Sequence, residues 1–230
     1  MLFRSLPNVF GTYHLLEHVR NNKSNCFLFI SSPDVYGDTS EINSISESDF
    51  GYLDPLASRS CYGESKRMGE ALCAAWLNQK NTPVKIVRPF HVYGPGMNLD
   101  DGRVFSDFVS NVVNKQNILI KGQGIEQRTF CYLADAVLAI FVVLFSGEVG
   151  EAYNIGNDKC EIQIKELAQL LVRLFPQYKL SVAFDKPKDN RYLKSPNRRG
   201  YPDTTKIKQL NWTPQYSLEE GFKRTIRSFL

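Results

Sequence analysis

The 230-residue chain has no glycine-rich turn of the G-x-G-x-x-G kind, and with it lacks the usual backbone cradle for a dinucleotide pyrophosphate. Gly122-Gln-Gly124 has two of the three glycines, but strand-type runs flank it. It is read instead as a hairpin turn between Ile118-Leu-Ile120 and Thr129-Phe-Cys-Tyr132. No C-x-x-C pair is present. The five cysteines (Cys26, Cys61, Cys73, Cys131, Cys160) are odd in number and irregularly spaced, which argues against a disulfide framework or a zinc site and points to a reducing, cytoplasmic setting. His14 and His18 stand at ligand spacing on one helical face, yet no third ligand accompanies them. No apolar run approaches the roughly 20 residues that span a bilayer. Ala136 to Phe145 is read as a buried helix, residues 1–15 lack the continuous apolar segment of a signal peptide, and no membrane association is expected. Basic residues are not interleaved with aromatics, so no nucleic-acid partner is expected.

What is present is an ordinary globular composition, 43% hydrophobic and 23% charged, with a formal net charge of +4 that suits an anionic ligand. Asn197-Arg-Arg199 offers one place for a phosphate. Cys26 to Ile30 is a continuous apolar run, as expected of a strand buried on both faces of a parallel sheet. It ends at Ser31-Ser32, and ligands of open α/β sheets bind outside the carboxyl ends of strands. A serine there equally suits a plain strand-to-loop turn. Asn8 to Asn22 reads as a helix, Thr39 to Arg59 as polar and irregular. A long helix capped by Ser58 or Ser60 then carries Tyr62 and Lys66 four residues apart on one face. A phenol titrates at about 10, so Tyr62 is a poor base near neutrality unless a cation such as Lys66 stabilises the phenolate. The bare Tyr-x-x-x-Lys pair is common on solvated helices; its context carries the weight.

Further along, Val84 to Val87 reads as a strand, Arg88 to Met97 as a Pro/Gly-rich loop, and Asp101 to Phe105 as the opening of a helix. Ala152 to Ile155 and Leu180 to Phe184 read as strands, Lys165 to Phe175 as a helix, and Lys186 to Tyr201 as a polar loop over the ligand. Ser217-Leu-Glu-Glu220 has capping-box spacing and starts a final helix.

Three motifs occur in order: Phe29-Ile-Ser-Ser-Pro-Asp-Val-Tyr-Gly37, Tyr62-x-x-x-Lys66, and Arg88-Pro-Phe-His-Val-Tyr-Gly-Pro95. In that order and spacing the chain resembles the extended short-chain dehydrogenase/reductases, the NAD-dependent nucleotide-sugar epimerase/dehydratase family. Arg128-Thr-Phe-Cys-Tyr-Leu-Ala-Asp135 and Leu210-Asn-Trp-Thr-Pro214 match later landmarks, and the likeness runs from about Leu6 to Phe229. The resemblance implies an α/β fold with an incomplete Rossmann-type parallel sheet and a smaller α+β substrate-binding domain. Residues 1–95 would be the remaining part of the dinucleotide-binding domain. Residues 96–230 would be mainly the substrate domain, with strand 151–155 returning to the main sheet.

The resemblance also implies NAD as cofactor and a nucleotide-diphosphate sugar as substrate. By it, Tyr62 takes the proton of the sugar 4-hydroxyl as hydride passes to NAD, Lys66 holds the cofactor ribose, Ser32 shares the proton, and Pro89 lies beside the cofactor. His91, where members usually have Asn, would contact substrate together with Arg103, Arg128 and Arg199. The 4,6-dehydratases carry Asp-Glu directly after the Ser/Thr, whereas Pro33-Asp34 stands here. Proline cannot protonate a leaving hydroxyl, so epimerisation or decarboxylation is expected rather than dehydration. Arg59-Ser-Cys-Tyr62 and Asp101-Gly-Arg103 look most like UDP-glucuronate decarboxylases, with Asp34 where those carry Glu.

Members of the family open with a strand, a glycine-rich turn and an acidic residue near the ribose, and this sequence matches from about the family's fourth helix onward. A truncated form, a split enzyme and a decayed gene all fit. The expected partners are a second copy in a homodimer or a polypeptide supplying the N-terminal half. The alternative to an enzyme is a non-catalytic remnant or binding subunit that keeps the sugar-nucleotide pocket without its own NAD site. A reductase of non-sugar ketones would share Tyr62 and Lys66, but Arg128 and Arg198-Arg199 favour a phosphorylated ligand.

Overall fold

The computed structural model describes residues 5–57, 59–185 and 201–230. Pro7–Gly11 forms a π-helical turn that runs into α1 (Thr12–Asn21). Proline is tolerated there because the first N–H groups of a helix lack partners anyway. β1 (Phe27–Ile30) leads into a 3-10 turn at Pro33–Tyr36, then β2 (Ser44–Ile45), α2 (Ser60–Lys80), β3 (Val84–Pro89) and β4 (Val92–Tyr93). α3 (Val104–Val113), β5 (Ile118–Lys121), β6 (Gln127–Thr129), β7 (Cys131–Tyr132) and α4 (Leu133–Ser146) follow. The chain continues through β8 (Ala152–Ile155), β9 (Glu161–Gln163), α5 (Ile164–Leu174), β10 (Val182–Asp185), β11 (Tyr201–Pro202), α6 (Thr205–Lys208) and α7 (Leu218–Arg227).

The central sheet is parallel with the order β1-β3-β8; Phe27 pairs with Val84, and Ile86 with Ala152. β3 lies in the middle and is buried through its first five residues, which explains an apolar run without strict alternation. On one face Phe29, Val84 and Ile86 pack with Leu16 and with Cys73 of α2; on the other, Val87, Tyr153 and Ile155 pack with Ala136, Ala139 and Val143 of α4. A second core gathers Phe105, Phe108, Ile118, Phe130, Leu167 and Phe222 among α3, α5 and α7.

Asp135, 2% exposed, joins the C-terminal segment to the rest. Its carboxylate accepts the backbone N–H groups of Gln215 (3.0 Å) and Tyr216 (3.1 Å), and its carbonyl accepts the Trp212 indole N–H (3.2 Å). Satisfying these buried groups locally fixes where the chain enters α7. Ser217 caps that helix, its hydroxyl accepting the Glu220 N–H.

Several expectations need correction. Gly122 and Gly124 do turn the chain with positive φ, but β5 pairs in parallel with β10 and β6 antiparallel with β9, so no hairpin joins them. A glycine pair specifies a turn, not the strand partner. β1 is not buried throughout: among the described residues it is an edge strand, and Ile30 is 50% exposed. α4 is buried on one side only, with Val137, Leu138, Phe141 and Phe145 exposed. Helix α2 begins after Arg59 without a side-chain cap, and α3 begins at Val104 rather than Asp101. A capping box formed by Gln163 and Glu166 opens α5, which the sequence reading passed over.

Candidate active site

β1 delivers Ser32 in an extended conformation to the start of the Pro33–Tyr36 turn. The Ser32 hydroxyl accepts the Asp34 N–H and faces the Asp34 carboxylate, both at 3.2 Å. Two glycines let α2 settle onto this strand end. A β-carbon on Gly63 would lie 2.9 Å from the Asp34 carbonyl oxygen, and one on Gly69 would lie 2.4 Å from the Phe29 ring. No larger residue permits that approach without a shift. Tyr62, half-buried, directly precedes Gly63, the residue of α2 that packs on the Asp34 backbone.

The Lys66 ammonium donates to the Ile30 carbonyl at 2.8 Å and lies 5.1 Å from the centre of the Phe29 ring. The Phe27 and Ser31 N–H groups bond to Pro83 and Val87 of the β3 side. Backbone groups alternate in direction along a strand, so those of Ile30 point away from β3, to the outer edge of the sheet. Burial holds the Lys66 pKa below the ordinary lysine value, and the Glu70 carboxylate opposes that shift.

Behind this group runs a buried polar network that the sequence reading missed. Glu70 accepts the Ser31 hydroxyl at 2.5 Å and binds Arg88 through both oxygens, at 2.9 and 2.7 Å. Arg88 also donates to the Tyr36 hydroxyl and the Glu47 carbonyl, both at 2.9 Å, and Tyr36 donates to the Asn154 side-chain oxygen at 2.6 Å. Burial pushes the Tyr36 phenol up to about 12 despite the neighbouring Arg88, so it stays a neutral donor. Burial works against the Arg88 charge, but its bonds to Glu70 and Tyr36 raise its pKa overall. The available signal was a charged Arg88 closing an apolar strand run and Glu70 one helical turn past Lys66.

A cavity of about 770 Å³ lies beyond this network, lined in part by Glu47, Phe50, Arg67, Glu70, Arg88 and Lys206. Neither Ser32, Tyr62 nor Lys66 lines it. Its cations are already engaged, Arg67 with the Val35 and Gly51 carbonyls and Lys206 with Glu151. It is therefore set apart from the candidate active site.

The remaining predicted residues are placed as follows. Pro89 ends β3 opposite Ile155. His91 follows with φ of +29°, its carbonyl accepting the Cys131 N–H at 3.3 Å and its ring 5.9 Å from that of Phe130. Arg103 precedes α3, paired with the Asp101 carboxylate and lying 4.6 Å from the Phe105 ring centre. Arg128 is half-exposed on β6 and donates to the Gln127 carbonyl at 2.7 Å. Arg199 and the 186–200 stretch of the expected loop, including Arg198, lie outside the described residues, as does Ser58. Ser32, Asp34 and Lys66 thus meet at the end of β1, with Tyr62 one helical turn before Lys66 on α2; Arg103 and Arg128 belong to other elements.

A parallel sheet with a Tyr-x-x-x-Lys helix docked at a strand's carboxyl end defines a Rossmann-type α/β protein. The chain belongs to the NAD dependent epimerase/dehydratase family, whose model matches residues 6–156. It is 35% identical over 228 residues to UDP-glucuronic acid decarboxylase 1 of Arabidopsis thaliana, covering 96% of this chain and 49% of that protein. A UDP-glucuronic acid 4-epimerase of Bacillus cereus, solved with UDP-glucuronic acid and NAD, superposes with a TM-score of 0.81 at 26% identity, covering 97% of this chain and 68% of that one. The fold is also that of UDP-glucose 4-epimerase from Thermotoga maritima, with a TM-score of 0.85 at 24% identity over 98% of this chain and 70% of that one. The chain spans about half the length of the curated relatives it matches.

Proposed function

We propose that this chain carries the catalytic and substrate-binding part of an NAD-dependent nucleotide-sugar enzyme that oxidises sugar C4 and then decarboxylates or epimerises the 4-keto sugar. The observation that supports the reading is the Lys66 ammonium bonded to the Ile30 carbonyl at the carboxyl end of β1, next to the turn of Ser32 and one helical turn after Tyr62. These residues suit the nicotinamide-ribose end of the cofactor, with Pro89 beside it; the pyrophosphate end finds no glycine-rich cradle in the 230 residues. When bound, NAD accepts hydride from C4 and later returns it.

Tyr62 takes the 4-hydroxyl proton, a step for which a placed base is worth about 10²- to 10⁴-fold. Lys66 stabilises the phenolate and holds the ribose. Ser32 turns its hydroxyl from Asp34 to the reacting sugar oxygen and shares the proton, while Asp34 fixes the Ser32 turn. Arg128 suits the diphosphate through its guanidinium fork, aided by Arg199, while Arg103 exchanges Asp101 for substrate and His91 offers imidazole in place of an amide. Pro33 supplies no acid, which disfavours dehydration. In this reading residues 1–95 serve the dinucleotide side and 96–230 mainly the substrate side, in a cytoplasmic enzyme. The Lys66–Ile30 bond favours a second reading, in which the chain without a cofactor-binding partner holds a sugar nucleotide but performs no chemistry.

Product analysis tests the first reading. The chain is combined with NAD and a glycine-rich half, and given UDP-glucuronate, UDP-glucose or dTDP-glucose. A pentose or epimer is expected; a 4-keto-6-deoxy sugar as the main product would overturn it.

A further inference from the structure

We propose that Glu70 is a positioning residue for Tyr62 and Lys66, locking the helix that carries them to Ser31 and so setting their place against Ser32. This rests on the reading of Ser32, Tyr62 and Lys66 as the proton-handling group. Glu70 lies one turn beyond Lys66 and two beyond Tyr62, on the same side of α2. One carboxylate oxygen takes both the Ser31 hydroxyl and the Arg88 Nε–H, and the other takes Arg88 Nη2. Ser31 is the neighbour of Ser32 in the chain. Arg88, held in turn by Tyr36 and Glu47, extends the lock to β3, and the Tyr36–Asn154 bond extends it to β8. Gly69 against Phe29 closes the same contact from the apolar side. The end of β1, the middle of α2 and the end of β3 are therefore tied to one another.

Stability alone is a poor reason for such a pair, since apolar side chains of similar volume often replace a buried ion pair at no loss. What they cannot replace is the charge beside Lys66. The groups facing the Lys66 ammonium are Glu70 on its own helix and the Ile30 carbonyl and Phe29 ring on β1; Arg88 of β3 stands behind Glu70. Ser32 and Asp34 occupy the adjoining turn. Of these, Glu70 is the carboxylate that offsets the burial of the lysine.

The test is competitive acetylation of the full chain with trace acetic anhydride from about pH 7 to 11, reading each lysine by peptide mass spectrometry against the others. Glu70→Gln keeps the shape and removes the charge. The double variant Glu70→Leu/Arg88→Met refills the site with apolar side chains. In both, Lys66 is expected to react about threefold or more faster than in the wild type near pH 8, because removing the carboxylate favours the neutral amine. The double variant should melt below the wild type, because the Ser31 hydroxyl, the Tyr36 hydroxyl and the Glu47 carbonyl lose their partners, and Glu70→Asp should return most of the wild-type rate. A wild-type Lys66 rate in a folded Glu70→Gln or double variant would reduce Glu70 to a structural residue and overturn the proposal. If neither folds, Ser31→Ala decides: freeing the carboxylate from its hydroxyl donor should slow Lys66 by about twofold, and an unchanged or faster rate overturns the proposal. Because labelling needs neither NAD nor sugar, it reads Glu70 even in a chain that turns over nothing. Turnover with an indifferent Lys66 would sink this inference and leave the proposed function standing.

Discussion

The Ile30 carbonyl accepts the Lys66 ammonium at 2.8 Å on the side of β1 that faces no other strand among the described residues. The lysine expected to grip a cofactor ribose is thus engaged with the backbone, and the sequence supplies no pyrophosphate cradle. The isolated chain should bind NAD weakly or not at all. Calorimetric titration checks this, and tight stoichiometric binding would mean that the cofactor finds contacts elsewhere in the chain.

The outer edge of β1 faces no strand among the described residues, and Ile30 is 50% exposed beside it. Leu6, Phe10 and Leu15 at the N-terminal helix and Val137, Leu138, Phe141 and Phe145 on α4, the last 77% exposed, add apolar surface. Exposed apolar patches above a few hundred Å² are unusual for monomers. Self-association is therefore expected in size-exclusion chromatography with light scattering. A monodisperse, cooperatively melting monomer at tens of micromolar would contradict it.

Gly69→Ala should cost about 1–3 kcal/mol, because its β-carbon would meet the Phe29 ring inside a packed contact. Gly11→Ala, in a helical conformation with open space around it, should be neutral or stabilising by up to about 1 kcal/mol. Urea unfolding of the two variants side by side reads the difference, and equal midpoints would show that α2 does not rest on Phe29 as described.

Tyr36→Phe removes the hydroxyl that joins Arg88 to Asn154 and strands two buried polar groups. A loss of about 1–3 kcal/mol is expected. Denaturant midpoints unchanged from the wild type would show that the network contributes nothing at this joint.

Hydrogen bonds from the side chain and N–H of Thr205, aided by Lys208, hold the Asp203 carboxyl below the usual carboxylate range. Because the folded pKa is the lower one, its contribution is complete above the unfolded value of about 3.9 and disappears as pH falls through the folded value. Asp203→Ala should cost about 0.5 kcal/mol at neutral pH, solvent screening keeping it small, and less once the pH falls below the folded value, where the protonated carboxyl keeps only the neutral part of its bond to the Thr205 N–H. Melting temperatures across that range check the convergence; a constant difference would assign the effect to something other than charge.

The elements around the site were legible because each announces itself locally. Cys26 to Ile30 is short and apolar before two serines, Tyr62 and Lys66 are fixed by helical periodicity, and Ser217 with Glu220 marks a helix start. What depended on partners distant in sequence was not legible. Gly122 and Gly124 could not say that β5 and β6 would turn to β10 and β9. Glu70 and Arg88 sit on different elements, and only tertiary packing makes them one ion pair. The pairing of Arg103 with Asp101 was open to inspection two residues away, but its competition with a ligand role was not.

Hydride transfer at C4 is the centre of the proposed chemistry, and UDP-glucuronate deuterated at C4 tests it most directly. With NAD and a glycine-rich half supplied, a primary isotope effect is expected. The label should remain at C4 of the pentose or epimer, and Tyr62→Phe should lower the rate by about 10²- to 10⁴-fold. Turnover without an isotope effect, or a Tyr62→Phe variant as fast as the wild type, would contradict C4 oxidation at this site.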